Sequence, residues 1–186
     1  MNLKELYKKA LPELMKQFGY KNPMAVPRVE KIVLNTGFGK QIAGKTGEES
    51  RKILESVIKD LGLIAGQRPV LTKAKKSVAG FKLREGVPIG AKVTLRGQKM
   101  GDFLERFIHV ILPRSRDFRG IPLSAMDGSG NLTIGVKEHI SFPEVAPEHS
   151  QISFGLEITI VTTAKTKKEG VELLKKIGIL FQGEKK

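Results

Sequence analysis

The chain has 186 residues, 40% of them hydrophobic, no cysteine, and a net charge of +14 from 33 Lys plus Arg against 19 Asp plus Glu. That composition favours a folded chain over a disordered one and excludes a disulfide scaffold and a Cys-ligated zinc site, and no apolar run approaches the ~20 residues of a membrane span. With no signal-type apolar run after Met1-Asn2-Leu3-Lys4-Glu5, the reading is a soluble cytoplasmic protein whose partner is anionic: nucleic acid, an anionic membrane or an acidic protein.

In chain order, Leu3, Leu6, Tyr7, Ala10, Leu11, Leu14 and Phe18 recur at helical spacing up to Gly19, with a kink expected at Pro12. Asn22-Pro23 and Val26-Pro27 keep the next stretch out of helix. Val29 to Thr36 alternates as a strand does, with Ile32 and Leu34 on one face and Lys31, Val33 and Asn35 on the other. Gly37, Gly39, Gly44 and Gly47 predict a flexible loop. Thr46 with Glu49 then forms a capping box for a helix with Ile53, Leu54, Val57, Ile58 and Leu61 inward and Gly62 as its stop.

After Gly66-Gln67-Arg68-Pro69 comes a short strand, Val70 to Thr72, and then a basic loop, Lys73–Lys82. Gly90 to Gly97 reads as a strand with Val93 and Leu95 opposite Lys92, Thr94 and Arg96. Met100, Phe103, Leu104, Phe107, Ile108 and Ile111 make a helical stripe closed by Pro113. A second basic loop, residues 113–120, carries Arg114, Arg116 and Arg119. Leu132, Ile134 and Val136 alternate as a strand. Residues 139–154, with two prolines and no period, predict a long loop acting as an interaction arm. Leu156 to Thr163 is a further strand, and Thr166 with Glu169 caps a last helix that ends at Ile177 and Gly178.

Helices and strands mix without strict alternation. That predicts an α+β fold: one mostly antiparallel sheet, helices packed on one face, and a polar opposite face. No repeat or linker divides residues 1–186, so one domain is expected.

The charge is concentrated. Residues 67–119 hold 13 basic and 4 acidic side chains, while residues 120–164 hold 1 basic and 5 acidic. Lys31 and Asn35 on one strand, with Lys92, Thr94 and Arg96 on another, would form a patch suited to phosphate, sugar and base edges, or an ordinary solvated face. In the Lys73–Lys82 loop the lysines can reach phosphates, and Phe81 can either stack on a base or anchor the loop to the core.

Gly39-Lys-Gln-Ile-Ala-Gly44-Lys45-Thr46 fits the P-loop pattern, between an expected strand and an expected helix, so nucleotide binding stands as an alternative. Against it, no apolar strand ends in the Asp that would hold Mg²⁺. His109, His139 and His149 lie far apart in sequence, and no catalytic or metal-ligand spacing is present. No enzyme activity, cofactor or metal is expected.

Arg28-Val-Glu-Lys-Ile-Val-Leu-Asn-Thr-Gly37, Gly66-Gln-Arg-Pro-Val-Leu-Thr-Lys-Ala-Lys-Lys-Ser77 and Phe81-Lys-Leu-Arg-Glu-Gly-Val-Pro-Ile-Gly-Ala-Lys-Val-Thr-Leu-Arg96 closely resemble the bacterial large-subunit ribosomal protein L-five family. Leu112-Pro-Arg-Ser-Arg-Asp-Phe-Arg-Gly120, Phe142-Pro-Glu144 and Ile160-Val-Thr-Thr-Ala164 do so in the same order. The resemblance implies a ribosomal component of the central protuberance that binds 5S rRNA and helps seat it in the large subunit. It further implies contacts with 23S rRNA, with the tRNA in the peptidyl site and with a protein in the head of the small subunit.

The family's 5S rRNA cluster maps onto Asn35, Gln67 and Thr94, around which Lys31, Arg68, Lys92 and Arg96 are expected to supply phosphate contacts. Its tRNA-facing loop maps onto Lys73, Lys75, Lys76, Ser77, Phe81 and Lys82, and the intersubunit bridge onto the region around 139–154. Nucleotide binding is not among the family properties so implied.

Overall fold

A computed structural model describes residues 3–45, 47–114, 118–145 and 152–182. The elements in order are α1 (Leu3–Phe18), β1 (Val29–Gly37), α2 (Gly39–Ile42), α3 (Gly47–Ala65), β2 (Val70–Lys73), β3 (Pro88–Leu95), α4 (Gly97–Arg106), α5 (Leu112–Arg114), β4 (Leu132–Val136), β5 (Leu156–Thr162) and α6 (Lys167–Ile177). The strands form one sheet in the order β2-β3-β1-β5-β4. Its neighbours run antiparallel, and the register of the β2–β3 pair sets Val70 opposite Lys92 and Thr72 opposite Gly90. The fold is α+β, as the sequence pattern predicts. Among the described residues no helix is long and apolar enough to cross a membrane.

The strands alternate because their side chains do. Ile32 and Leu34 of β1, Ala91, Val93 and Leu95 of β3, and Leu156, Ile158 and Ile160 of β5 are buried, while the residues between them are exposed or half-buried.

Packing divides the chain into two compact units. Unit 1 comprises residues 1–32, 95–134 and 159–186; unit 2 comprises 33–94 and 135–158. In unit 1, α1 packs on α6 and α4, burying Ala10, Leu14, Leu173 and Leu174, and Phe103 and Phe107 stack with centroids 6.1 Å apart. In unit 2, Ile53, Val57, Leu61 and Ile64 of α3 are buried together with Leu34, Phe38 and Val93.

Several boundaries differ from the sequence reading, each for a physical reason. Helix α3 does not stop at Gly62. Ile64 and Ala65 continue its buried stripe, and Gly66, at φ +64°, is the left-handed residue that ends it. Pro113 does not close its helix either. A π-helical turn, Phe107–Ile111, follows α4, and α5 carries Pro113 in its middle. A proline ring would press on the carbonyl of His109 in a regular α-helix, and widening the turn relieves that contact.

The glycine-rich stretch is not an open loop, since α2 lies within it. The basic loop begins one residue late, because Lys73 ends β2. The expected arm at 139–154 is not an arm in its described parts: His139, Phe142, Val145 and Phe154 are buried. Thr46 of the first capping box, Arg116 of the second basic loop and residues 146–151 of the arm lie outside the described residues. The second capping box forms, with the Thr166 hydroxyl accepting from the Glu169 amide and Gly178 closing α6 at φ +110°.

Candidate nucleic-acid interface

In unit 2, the outward positions of four strands bring one row of side chains together. The Phe38 amide donates to the Ile89 carbonyl at 2.9 Å, which fixes how β1 lies against β3. Lys92 of β3 faces Val70 of β2, and Asn35 is an outward residue of β1, the next strand in the sheet. On the other side, Asn35 Nδ2 donates to Glu157 Oε2 of β5 at 3.2 Å. The row therefore reads Val70, Lys92, Asn35, Glu157, and all four are exposed. Lys92, Asn35 and Glu157 alternate with buried residues on their own strands, Ala91 and Val93, Leu34 and Thr36, and Leu156 and Ile158, so the sheet core holds their positions.

Thr94 lies on the same side of β3, also exposed. Gln67, half-buried, approaches it from the turn after α3, donating its Nε2 hydrogen to the Thr94 carbonyl at 2.9 Å. Pro69 is buried and pins that turn, with Arg68 exposed just before it. Asn35, Gln67 and Thr94, separated in sequence, thus share unit 2 with Arg68 and Lys92.

The other two cationic candidates belong to unit 1. Lys31 Nζ and Arg96 Nη1 lie 3.7 Å and 3.3 Å from the same Glu30 carboxylate oxygen. Both pairs reach solvent, so the attraction within each is small. Glu30 offsets one of the two positive charges presented there. Neither Glu30 nor Glu157 is marked by the sequence reading, which looks for basic and amide residues.

The Lys73–Lys82 segment is the ordered end of a hairpin. Ala74, buried at its base, donates to the Val87 carbonyl at 2.8 Å and accepts from the Gly86 amide at 3.0 Å. Farther out, Val78 and Leu83 exchange two backbone hydrogen bonds, and Ser77 Oγ accepts from the Glu85 amide. A 3₁₀ turn, Ala79–Phe81, forms the tip and is followed by Lys82 in the left-handed region at φ +48°. Lys73, Lys75, Lys76, Ser77, Phe81 and Lys82 are all exposed. Phe81 is 70% exposed, so it does not anchor the loop; Ala74 does.

The P-loop alternative loses its cradle. A phosphate-binding loop needs backbone N–H groups turned inward on the anion. Here the amides of Gln41 and Ile42 donate to the Phe38 carbonyl, that of Ala43 to Gly39, and that of Lys45 to Ile42. Four of the amides that would face a phosphate are used to close the α2 turn. Among the described residues no three His, Cys, Asp or Glu side chains gather as metal ligands.

One residue that the sequence reading leaves in a loop is a buried polar group. His139 is fully buried in unit 2, stacked on Phe154 with ring centroids 3.9 Å apart. Its Nδ1 accepts from the Phe154 amide at 3.3 Å, and its Nε2 lies 3.5 Å from Asp60 Oδ2. Burial pushes its pKa down, against the opposing pull of the Asp60 carboxylate. Period-based reading has no signal for such a residue.

Comparison with known proteins covers almost the whole chain. Residues 22–84 match the family described as Ribosomal protein L5, and residues 88–181 match the C-terminal region of that same ribosomal family. The large ribosomal subunit protein uL5 of Desulforapulum autotrophicum is 57% identical over 181 residues, spanning 97% of this chain and 98% of its own length. The proteins of the same name from Geotalea daltonii and Halothermothrix orenii are 54% and 52% identical, covering 97% and 96% of this chain and 98% and 97% of their own lengths.

Proposed function

The chain belongs to the ribosomal protein L5 family and is a structural constituent of the large ribosomal subunit rather than an enzyme; within that subunit, we propose, it binds 5S rRNA and helps attach it in the central protuberance. The observation that carries this reading is the set of solvent-reaching, directional groups in unit 2, Asn35, Gln67 and Thr94, held beside Lys92 and Arg68. Neutral amides and hydroxyls discriminate by geometry. Lysines and arginines supply attraction to the backbone that is largely blind to sequence. In unit 1, Lys31 and Arg96 are two further cations suited to phosphate.

The same reading extends to the remaining partners. The exposed hairpin tip with Phe81 and its lysines serves as the contact to tRNA in the peptidyl site: an exposed aromatic ring stacks on bases, and lysines follow phosphates. Other basic surface meets 23S rRNA. The region around 139–154 meets a basic protein of the small-subunit head, where the acidic excess of residues 120–164, Glu157 apart, favours protein over RNA.

The test is binding of the isolated protein to 5S rRNA, with footprinting of the RNA. Asn35→Ala and Thr94→Ala each weaken the complex by about tenfold, the equivalent of one net hydrogen bond of ~1.4 kcal/mol. Lys45→Ala, an exposed cation beyond α2, weakens it less. Equal losses from all three would mean that only diffuse charge is at work.

A further inference from the structure

We propose that Glu157 is a positioning residue for RNA recognition, fixing the Asn35 amide so that its oxygen, an acceptor, is what the RNA meets. The proposal rests on the reading of this surface as the 5S rRNA site. Its own ground is the Asn35–Glu157 contact and the chemistry of its two partners.

A carboxylate can only accept hydrogen bonds. The 3.2 Å contact to Glu157 Oε2 therefore admits a single orientation of the Asn35 amide, with Nδ2 toward β5 and Oδ1 turned away from it. Left alone on an exposed strand, an asparagine amide turns over freely and presents donor and acceptor about equally. Held by Glu157, it presents the acceptor first.

Gln67 is held in the same sense. Its Nε2 donates to the Thr94 carbonyl, likewise an acceptor only. Both amides of the surface thus commit a donor to the protein and keep an acceptor for the ligand. Phosphate oxygens carry no hydrogen to give, so an outward acceptor selects the donors of RNA: ribose 2′-hydroxyls and base amino groups.

This assigns a use to an otherwise adverse residue. An exposed carboxylate beside a phosphate-binding surface repels the ligand. If Glu157 did nothing else, removing it would tighten binding. If it positions Asn35, removing it weakens binding even though the surface becomes more positive. The two roles predict opposite signs.

The experiment measures affinity of the full chain for 5S rRNA across a salt series, for wild type, Asn35→Ala, Glu157→Ala, Glu157→Gln and the double variant Asn35→Ala/Glu157→Ala. Thermal melts check that each stays folded. The expected result is a loss of roughly threefold to tenfold for Glu157→Ala, with the slope of log affinity against log salt unchanged. Glu157→Gln, whose amide oxygen still accepts from Asn35, recovers the affinity. The double variant is no weaker than Asn35→Ala alone, since the two residues act as one unit.

Unchanged or tighter binding by Glu157→Ala, with Asn35→Ala still weakened, overturns the positioning role and leaves the 5S rRNA reading standing. No loss from Asn35→Ala overturns both.

Discussion

The His139 ring sits between Phe154 and Asp60 in an interior that resists its protonation. Burial, the largest influence, lowers its pKa below the ordinary value of ~6.5 for an unfolded chain. As pH falls below ~6.5 the unfolded chain takes up the proton first, so the native state loses stability from there down to the lowered folded pKa. Chemical denaturation at pH 7.5 and pH 5.5 should show wild type less stable at the lower pH. His139→Ala should be destabilised by roughly 3 kcal/mol at pH 7.5, through the lost ring and its hydrogen bonds, and should lose most of that pH dependence. An equal pH slope in the variant would place the titration elsewhere. Nothing in the order of residues around His139 announces this role. Lys92 and Thr94, by contrast, are readable at once, because a period of two assigns each strand residue to a face.

Helix α6 shows both sides of that legibility. Its start and stop are written locally: Thr166 caps one end and Gly178 the other. Its packing is not. Gly170 rests on Gly130, and a Cβ at position 170 would lie 2.5 Å from the Gly130 carbonyl oxygen and 2.6 Å from its Cα. Backbone cannot step aside as a side chain end can. Gly170→Ala should therefore cost about 2–4 kcal/mol in denaturant unfolding, against ~1 kcal/mol for Thr166→Ala, which removes only a cap. Equal losses would show that α6 shifts to relieve the contact. Where the sequence misplaces a boundary, a distant partner has overridden a local preference. Gly62 reads as a stop, but buried Ile64 and Ala65 carry α3 past it. Residues 139–145 read as loop because their buried members, His139, Phe142 and Val145, recur at every third residue, a spacing that fits neither the two of a strand nor the 3.6 of an α-helix, and Pro143 interrupts the run.

For the whole molecule, a charge of +14 makes RNA affinity a strong function of salt. Lys92→Ala should lower the slope of log affinity against log salt by about 1, whereas Thr94→Ala should shift the line without tilting it. A tilt from Thr94→Ala would mean that the variant disturbs the charged groups around it. The family strings and the charge were open to reading in the sequence; the carboxylates Glu30 and Glu157 became visible only once strands distant in the chain lay side by side. The division into two units also has a consequence in time. During synthesis the last segment of unit 2, residues 135–158, emerges before the last segment of unit 1, which begins at residue 159. The strand-borne groups Asn35, Thr94 and Glu157 can be gathered while α1, with α4 already made, still waits for α6, the second helix it packs against. Helix α1 is among the last elements to be fully covered, and until α6 arrives the part of its apolar stripe, with Ala10 and Leu14, that α4 does not cover is open to whatever attends the growing chain.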